Sequence, residues 1–133
     1  MGKVYRLSDR IKIKIDDIIV TISPLSIHQK TEIQSAMWKG RTEKNFEEAT
    51  KGVTLSIKYA VKGISGLTDL SGQEYKLEFQ DGVLSDQSLD DVFNLGLTDK
   101  LSMVCASLIK GIPSEFNIEG VEFVSEGKTD PNL

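Results

Sequence analysis

Residues 11–22 read Ile11-Lys12-Ile13-Lys14-Ile15-Asp16-Asp17-Ile18-Ile19-Val20-Thr21-Ile22, and this stretch decides the fold class. Its first half alternates apolar and basic residues with period two, and its second half is β-branched throughout. Side chains branched at Cβ are stiff and suit a pleated surface, so both halves predict strands, and Asp16-Asp17 between them predicts a hairpin turn. Asp-Asp is a weaker turn pair than Asn-Gly because only glycine enters positive φ freely, so the sequence leaves the register open. Pro24 then ends the second strand.

The residues that follow change period. Ser26 to Lys39 predicts a first helix, with Ile33, Ala36 and Met37 on one face and Gly40 placed to stop it. A second helix opens at Asn45, whose side chain can accept from free amides while Glu48 reaches back, and Phe46, Ala49, Val53, Ile57, Ala60 and Val61 recur at helical spacing. Gly52 inside it costs about 1 kcal/mol relative to alanine. Gly63-Ile64-Ser65-Gly66 reads as a turn. Beyond it, Leu67-Thr68-Asp69, a Leu70-Ser71-Gly72-Gln73 turn, and Tyr75, Leu77 and Phe79 alternating with charged residues predict a second hairpin closed by Asp81-Gly82. A short helix from Ser88, with Asp91 at the capping position, precedes a third long helix from Thr98. There Leu101, Val104, Cys105, Leu108 and Ile109 form the apolar stripe, and Gly111 and Pro113 end it.

The expectation is therefore an α+β fold: one domain over residues 1–125 with about three longer helices and two β-hairpins, and a polar tail over residues 126–133. The predicted core includes Ile33, Phe46, Val53, Ile57, Tyr75, Leu77, Leu101, Val104 and Leu108. A chain of 133 residues, 39% hydrophobic and 27% charged, fits one globular domain that needs no disulfide or structural metal. Its single cysteine permits no internal bridge. No apolar run approaches the roughly 20 residues of a membrane span, and no basic-then-apolar leader is evident. The reading is a cytoplasmic protein that engages no membrane.

Net charge is −4, from 16 basic and 20 acidic residues. Residues 1–14 hold five basic side chains against Asp9, whereas residues 69–99 hold eight acidic side chains against Lys76. That acidic half raises the electrostatic work of approach to a phosphate backbone, which argues against nucleic acid as a partner.

No motif points to catalysis or cofactor binding. His28 is the sole histidine and has no second ligand or base beside it in sequence. Cys105 sits on an apolar helical face, where a thiol behaves as a small hydrophobe. Asp86, Asp90 and Asp91 lack the alternating spacing, central glycine and terminal Glu of a calcium loop, and read as capping and a solvated face. Lys62 with Gly63 and Gly66 does not form a phosphate loop, because the stretch leads toward a predicted strand and not into a helix. Gly127-Lys128-Thr129 lacks the upstream glycine and the following helix. The expectation is no catalytic, cofactor or metal site. Met37, Trp38 and Phe46, around the polar connection 39–45, are the candidate protein-binding residues, since large aromatics dominate binding hot spots. The competing reading packs Trp38 against the second helix as core.

Val61-Lys62-Gly63-Ile64-Ser65-Gly66-Leu67-Thr68-Asp69, followed by Gly72-Gln73-Glu74-Tyr75-Lys76-Leu77-Glu78-Phe79, resembles the tail assembly chaperones of long-tailed bacteriophages. Pro24-Leu25-Ser26 before the first helix and Gly111-Ile112-Pro113 after the last are similar as well, so the resemblance spans residues 18–116. The Ile11-to-Ile22 hairpin departs from the mainly helical members of that family. The resemblance implies a non-enzymatic role in viral morphogenesis in the host cytoplasm: holding the tape measure protein soluble and recruiting tail tube protein. It also implies a programmed frameshift near the C-terminus, for which Gly127-Lys128 is a candidate slippery site; an ordinary dipeptide at a frayed end is the competing reading. The alternative function is a virion structural component, a tail completion or head-tail connector subunit assembling head to tail. An enzyme with a pocket built from scattered carboxylates is a third, remoter class.

Overall fold

The computed structural model describes residues 4–124. The isoleucine-rich stretch forms β1 (Ile11–Ile15) and β2 (Ile18–Ile22), paired antiparallel with Ile15 opposite Ile18, so the Asp-Asp turn has two residues. Asp16 accepts the positive φ (55°) that the turn demands. The strain is offset by tertiary contacts: Asp16 N–H donates to the Gly120 carbonyl (2.9 Å) and the Lys100 ammonium donates to the Asp16 carboxylate (2.8 Å). Ile13, Ile15, Val20 and Ile22 face inward and are buried, while Lys12 and Lys14 are exposed on the other face.

Helix α1 spans Ile27–Thr42. Ser26 caps it in a reciprocal box: its Oγ accepts from Gln29 N–H, and the Gln29 side chain accepts from Ser26 N–H. Gly40 does not stop this helix. It lies inside it, because a Cβ there would fall 2.6 Å from Ala49 Cβ; the missing side chain lets the second helix approach. Helix α2 (Phe46–Ala60) is capped by Asn45, whose Oδ1 accepts from Glu48 N–H. Gly52 plays the same part at the other end of the crossing, with Met37 Cγ 2.7 Å from where its Cβ would stand.

Phe46 is not core. It is 83% exposed, because it is the first residue of α2 and stands three residues ahead of Ala49, where that helix meets Gly40 of α1. Ile33, Ile57, Leu101, Val104 and Leu108 are fully buried, whereas Val53 and Leu77 are half-buried against the same core and Tyr75 is half-buried. Gly63-Ile64-Ser65 is not a turn but part of β3 (Val61–Ser65), which follows α2 directly and pairs antiparallel with β2. Val61 ends the apolar stripe of α2 and opens a strand, which explains why helical spacing swallowed it.

The second predicted hairpin is split. Thr68 and Glu74 form a single bridge around the 69–73 loop, and a separate two-stranded ribbon joins β4 (Phe79–Gln80) to β5 (Val83–Leu84). Asp81 and Gly82 both take positive φ, as a type I′ turn requires. Between these, residues 75–78 alternate as expected but lie outside any strand: Tyr75 N–H donates to the Leu67 carbonyl (2.9 Å) and Glu78 N–H to the buried Ser88 Oγ (2.7 Å). Helix α3 (Asp86–Phe93) starts earlier than predicted, with Ser85 as its cap. Helix α4 (Thr98–Ser107) continues into a 3-10 turn, Leu108–Lys110, and stops at Gly111, whose φ is 105°.

Strand β6 (Val121–Phe123), absent from the sequence reading, pairs with β1 and completes a four-stranded sheet of order β3-β2-β1-β6. Helices and inner sheet face share one hydrophobic core, and the molecule is a single α+β domain. The predicted tail 126–133, with Gly127, Lys128 and Thr129, lies outside the described residues.

Candidate protein-binding groove

Met37 and Trp38 are neighbours on α1, so they point about 100° apart around the helix. Met37 turns toward Gly52 and is half-buried; Trp38 turns away and is 63% exposed, which overturns its reading as a core residue. One turn on either side, Gln34 and Arg41 stand on the same helical flank as Trp38. Ile109, from the 3-10 turn after α4, closes the far side. These five residues line a groove of about 290 Å³. Three of them are apolar, and Gln34 and Arg41 add an amide and a guanidinium. Phe46, the third candidate, does not line this groove.

The chemistry available here is binding. A methionine, an aromatic ring and an isoleucine can accept an aliphatic side chain, and Arg41 can pair with a carboxylate beside it. None of the five is a nucleophile or a general acid-base group in the neutral range. Gln34 and Arg41 were missed in the sequence, although their i−4 and i+3 spacing from Trp38 is the signal that places them on its flank. Ile109 has no such signal, since only tertiary packing brings it 71 positions along the chain to α1.

The other candidates occupy separate places. His28 lines a second groove of about 320 Å³ together with Glu32, Lys39, Glu48 and Lys51, a mixed-charge surface between α1 and α2. At its edge the Tyr59 hydroxyl donates to Glu32 (2.6 Å); burial, then this carboxylate, pushes the phenol up to about 12. Cys105 is fully buried, and burial pushes its thiol up to about 12, so it stays protonated and unreactive. The Asp91 carboxylate accepts from the Tyr75 hydroxyl (2.7 Å) and from Gln87 (3.1 Å), a structural tie between α3 and the preceding segment. Asp86 and Asp90 are exposed. Among the described residues no group of three or more His, Cys, Asp and Glu side chains could hold a metal ion. The Lys62 ammonium donates to the Gly82 carbonyl (2.7 Å), fastening β3 to the β4–β5 turn. Burial, then nearby Arg10, lowers the Lys62 pKa.

Among the described residues no single helix is long and apolar enough to cross a membrane. No protein-family model, curated protein or solved structure matches the chain.

Proposed function

We propose that this chain is a non-enzymatic tail assembly chaperone of a long-tailed bacteriophage, which keeps the tape measure protein soluble and recruits tail tube protein in the host cytoplasm. The sequence resemblance over residues 18–116 is its starting point. The observation that carries it is the groove that Met37 and Ile109, both half-buried, form with the exposed Trp38, bordered by Gln34 and Arg41. A holder of a hydrophobic client needs such a surface, and it needs surplus charge to keep the complex dissolved. The acidic residues between 69 and 99, most of them exposed, supply the charge.

Trp38→Ala tests the site. Because the side chain is mostly in solvent, the substitution should change folding stability by no more than about 0.5 kcal/mol. A hot-spot aromatic should cost about 2 kcal/mol of client affinity, roughly thirtyfold in Kd. Denaturant unfolding and a pull-down with immobilised tape measure segments read the two effects separately. Unchanged client binding would remove the groove from the account. Stoichiometric recovery of the chain from purified virions would favour the connector reading instead.

A further inference from the structure

The pairing of β3 sets Lys62 apart from the other lysines. Val61 stands opposite Ile22 and Gly63 opposite Thr21, so Lys62 is the extra residue of a bulge, with no partner on β2. A bulge re-aims a side chain out of the ladder. Here that side chain is half-buried, and its ammonium donates to one backbone carbonyl, that of Gly82 in the β4–β5 turn (2.7 Å). A second cation lies at this end of the sheet. Ile11 pairs with Ile22, and Ile22 with Val61, which brings Arg10 and Lys62 to the same end. Backbone fixes Arg10 as well: its Nη1 donates to the carbonyls of Leu7 (3.0 Å) and Asp9 (2.9 Å). Among the described residues no carboxylate forms an ion pair with either side chain. An ammonium that is partly out of water, bonded to a neutral carbonyl and set near a guanidinium gives up its proton more readily than a solvated one. Burial first, and Arg10 second, lower the Lys62 pKa accordingly.

We propose that Lys62 is the lysine of this chain that is preferentially acylated, by a donor of the acyl phosphate class. The free amine is the nucleophile, and it can keep one N–H on the Gly82 carbonyl while its lone pair stays available. Arg10 draws in the anionic phosphate of the donor; its Nε and Nη2 hydrogens are not taken up by the two backbone carbonyls. The Nζ lone pair attacks the acyl carbon and forms the C–N bond. The bond from that carbon to the bridging oxygen breaks, inorganic phosphate leaves with its electron pair, and the Nζ proton passes to water. The product is a neutral amide. One of two neighbouring positive charges is removed, and the charge-assisted bond to Gly82 becomes a neutral one.

The test is a time course of the full chain with acetyl phosphate, the acetyl group on each lysine being followed by peptide mass spectrometry. No client is present, so the outcome is independent of the chaperone reading. Lys62 should be acetylated at least about threefold faster than the exposed Lys14, Lys39, Lys51 and Lys76, each of which competes in the same tube. Arg10→Gln should bring the Lys62 rate down toward theirs and leave their rates unchanged. Arg10 is exposed, so thermal unfolding of that variant should match the wild type. A wild-type Lys62 that reacts no faster than the exposed lysines would overturn the proposal, and that comparison needs no variant. A Lys62 rate that Arg10→Gln leaves undiminished would overturn it as well.

Discussion

Leu108→Ala should lower the free energy of unfolding by about 2–5 kcal/mol, a loss large enough to unfold a marginally stable domain. Leu108 is fully buried where α4 passes into its 3-10 turn, on the same face as Leu101, Val104 and Cys105. Truncation removes the transfer free energy of three carbons and leaves a void that close-packed neighbours only partly fill. Met103, on the same helix but 54% exposed, provides the contrast: Met103→Ala should fall within about 0.5 kcal/mol of wild type. Urea unfolding of both variants checks the pair. A Leu108 effect as small as that of Met103 would contradict the packing of α4 in the core.

Gly40→Ala should destabilise by about 2 kcal/mol or more, although alanine is the better helix former by about 1 kcal/mol. The added Cβ would stand 2.6 Å from Ala49 Cβ and 2.7 Å from the Ala49 Cα and N atoms. Backbone cannot move aside as a side chain can, so α1 and α2 must separate along their crossing. Gly52→Ala should behave differently. The closest atom there is Met37 Cγ, part of a flexible chain, and its displacement is offset by the gain in helix propensity, leaving a net change within about 1 kcal/mol of zero. Denaturant midpoints of the two variants, at equal slope, read the difference. The reverse order would mean that the helices do not meet at Gly40.

The same pair of glycines shows what sequence can and cannot convey. Gly40 near the end of a helical pattern has the signature of a stop, and Gly52 has that of a weak point. Both are sites of close approach between helices, and nothing local distinguishes the two meanings. The β1–β2 hairpin was legible because one wet face imposes a strict alternation on five residues, and its register is secured by Lys100 and Gly120, far along the chain. Strand β6 is three residues long, too short for alternation to register, and exists because the edge of β1 is available to it. Phe46 follows the helical period faithfully, yet periodicity says which face a residue is on and not whether the neighbouring helix extends that far. At the groove, Trp38 was legible as a candidate by its chemistry, whereas Arg41 was passed over although it lies three residues on, on the same flank. Ile109 required the fold.

The proposed holding of a hydrophobic client in solution is read by that client's solubility on co-expression. A tape measure protein should partition into the insoluble fraction when produced alone and into the soluble fraction when produced with this chain. Co-production with the Trp38→Ala variant should shift it substantially back. If the tape measure protein is equally insoluble with and without the wild-type chain, the chaperone account is contradicted.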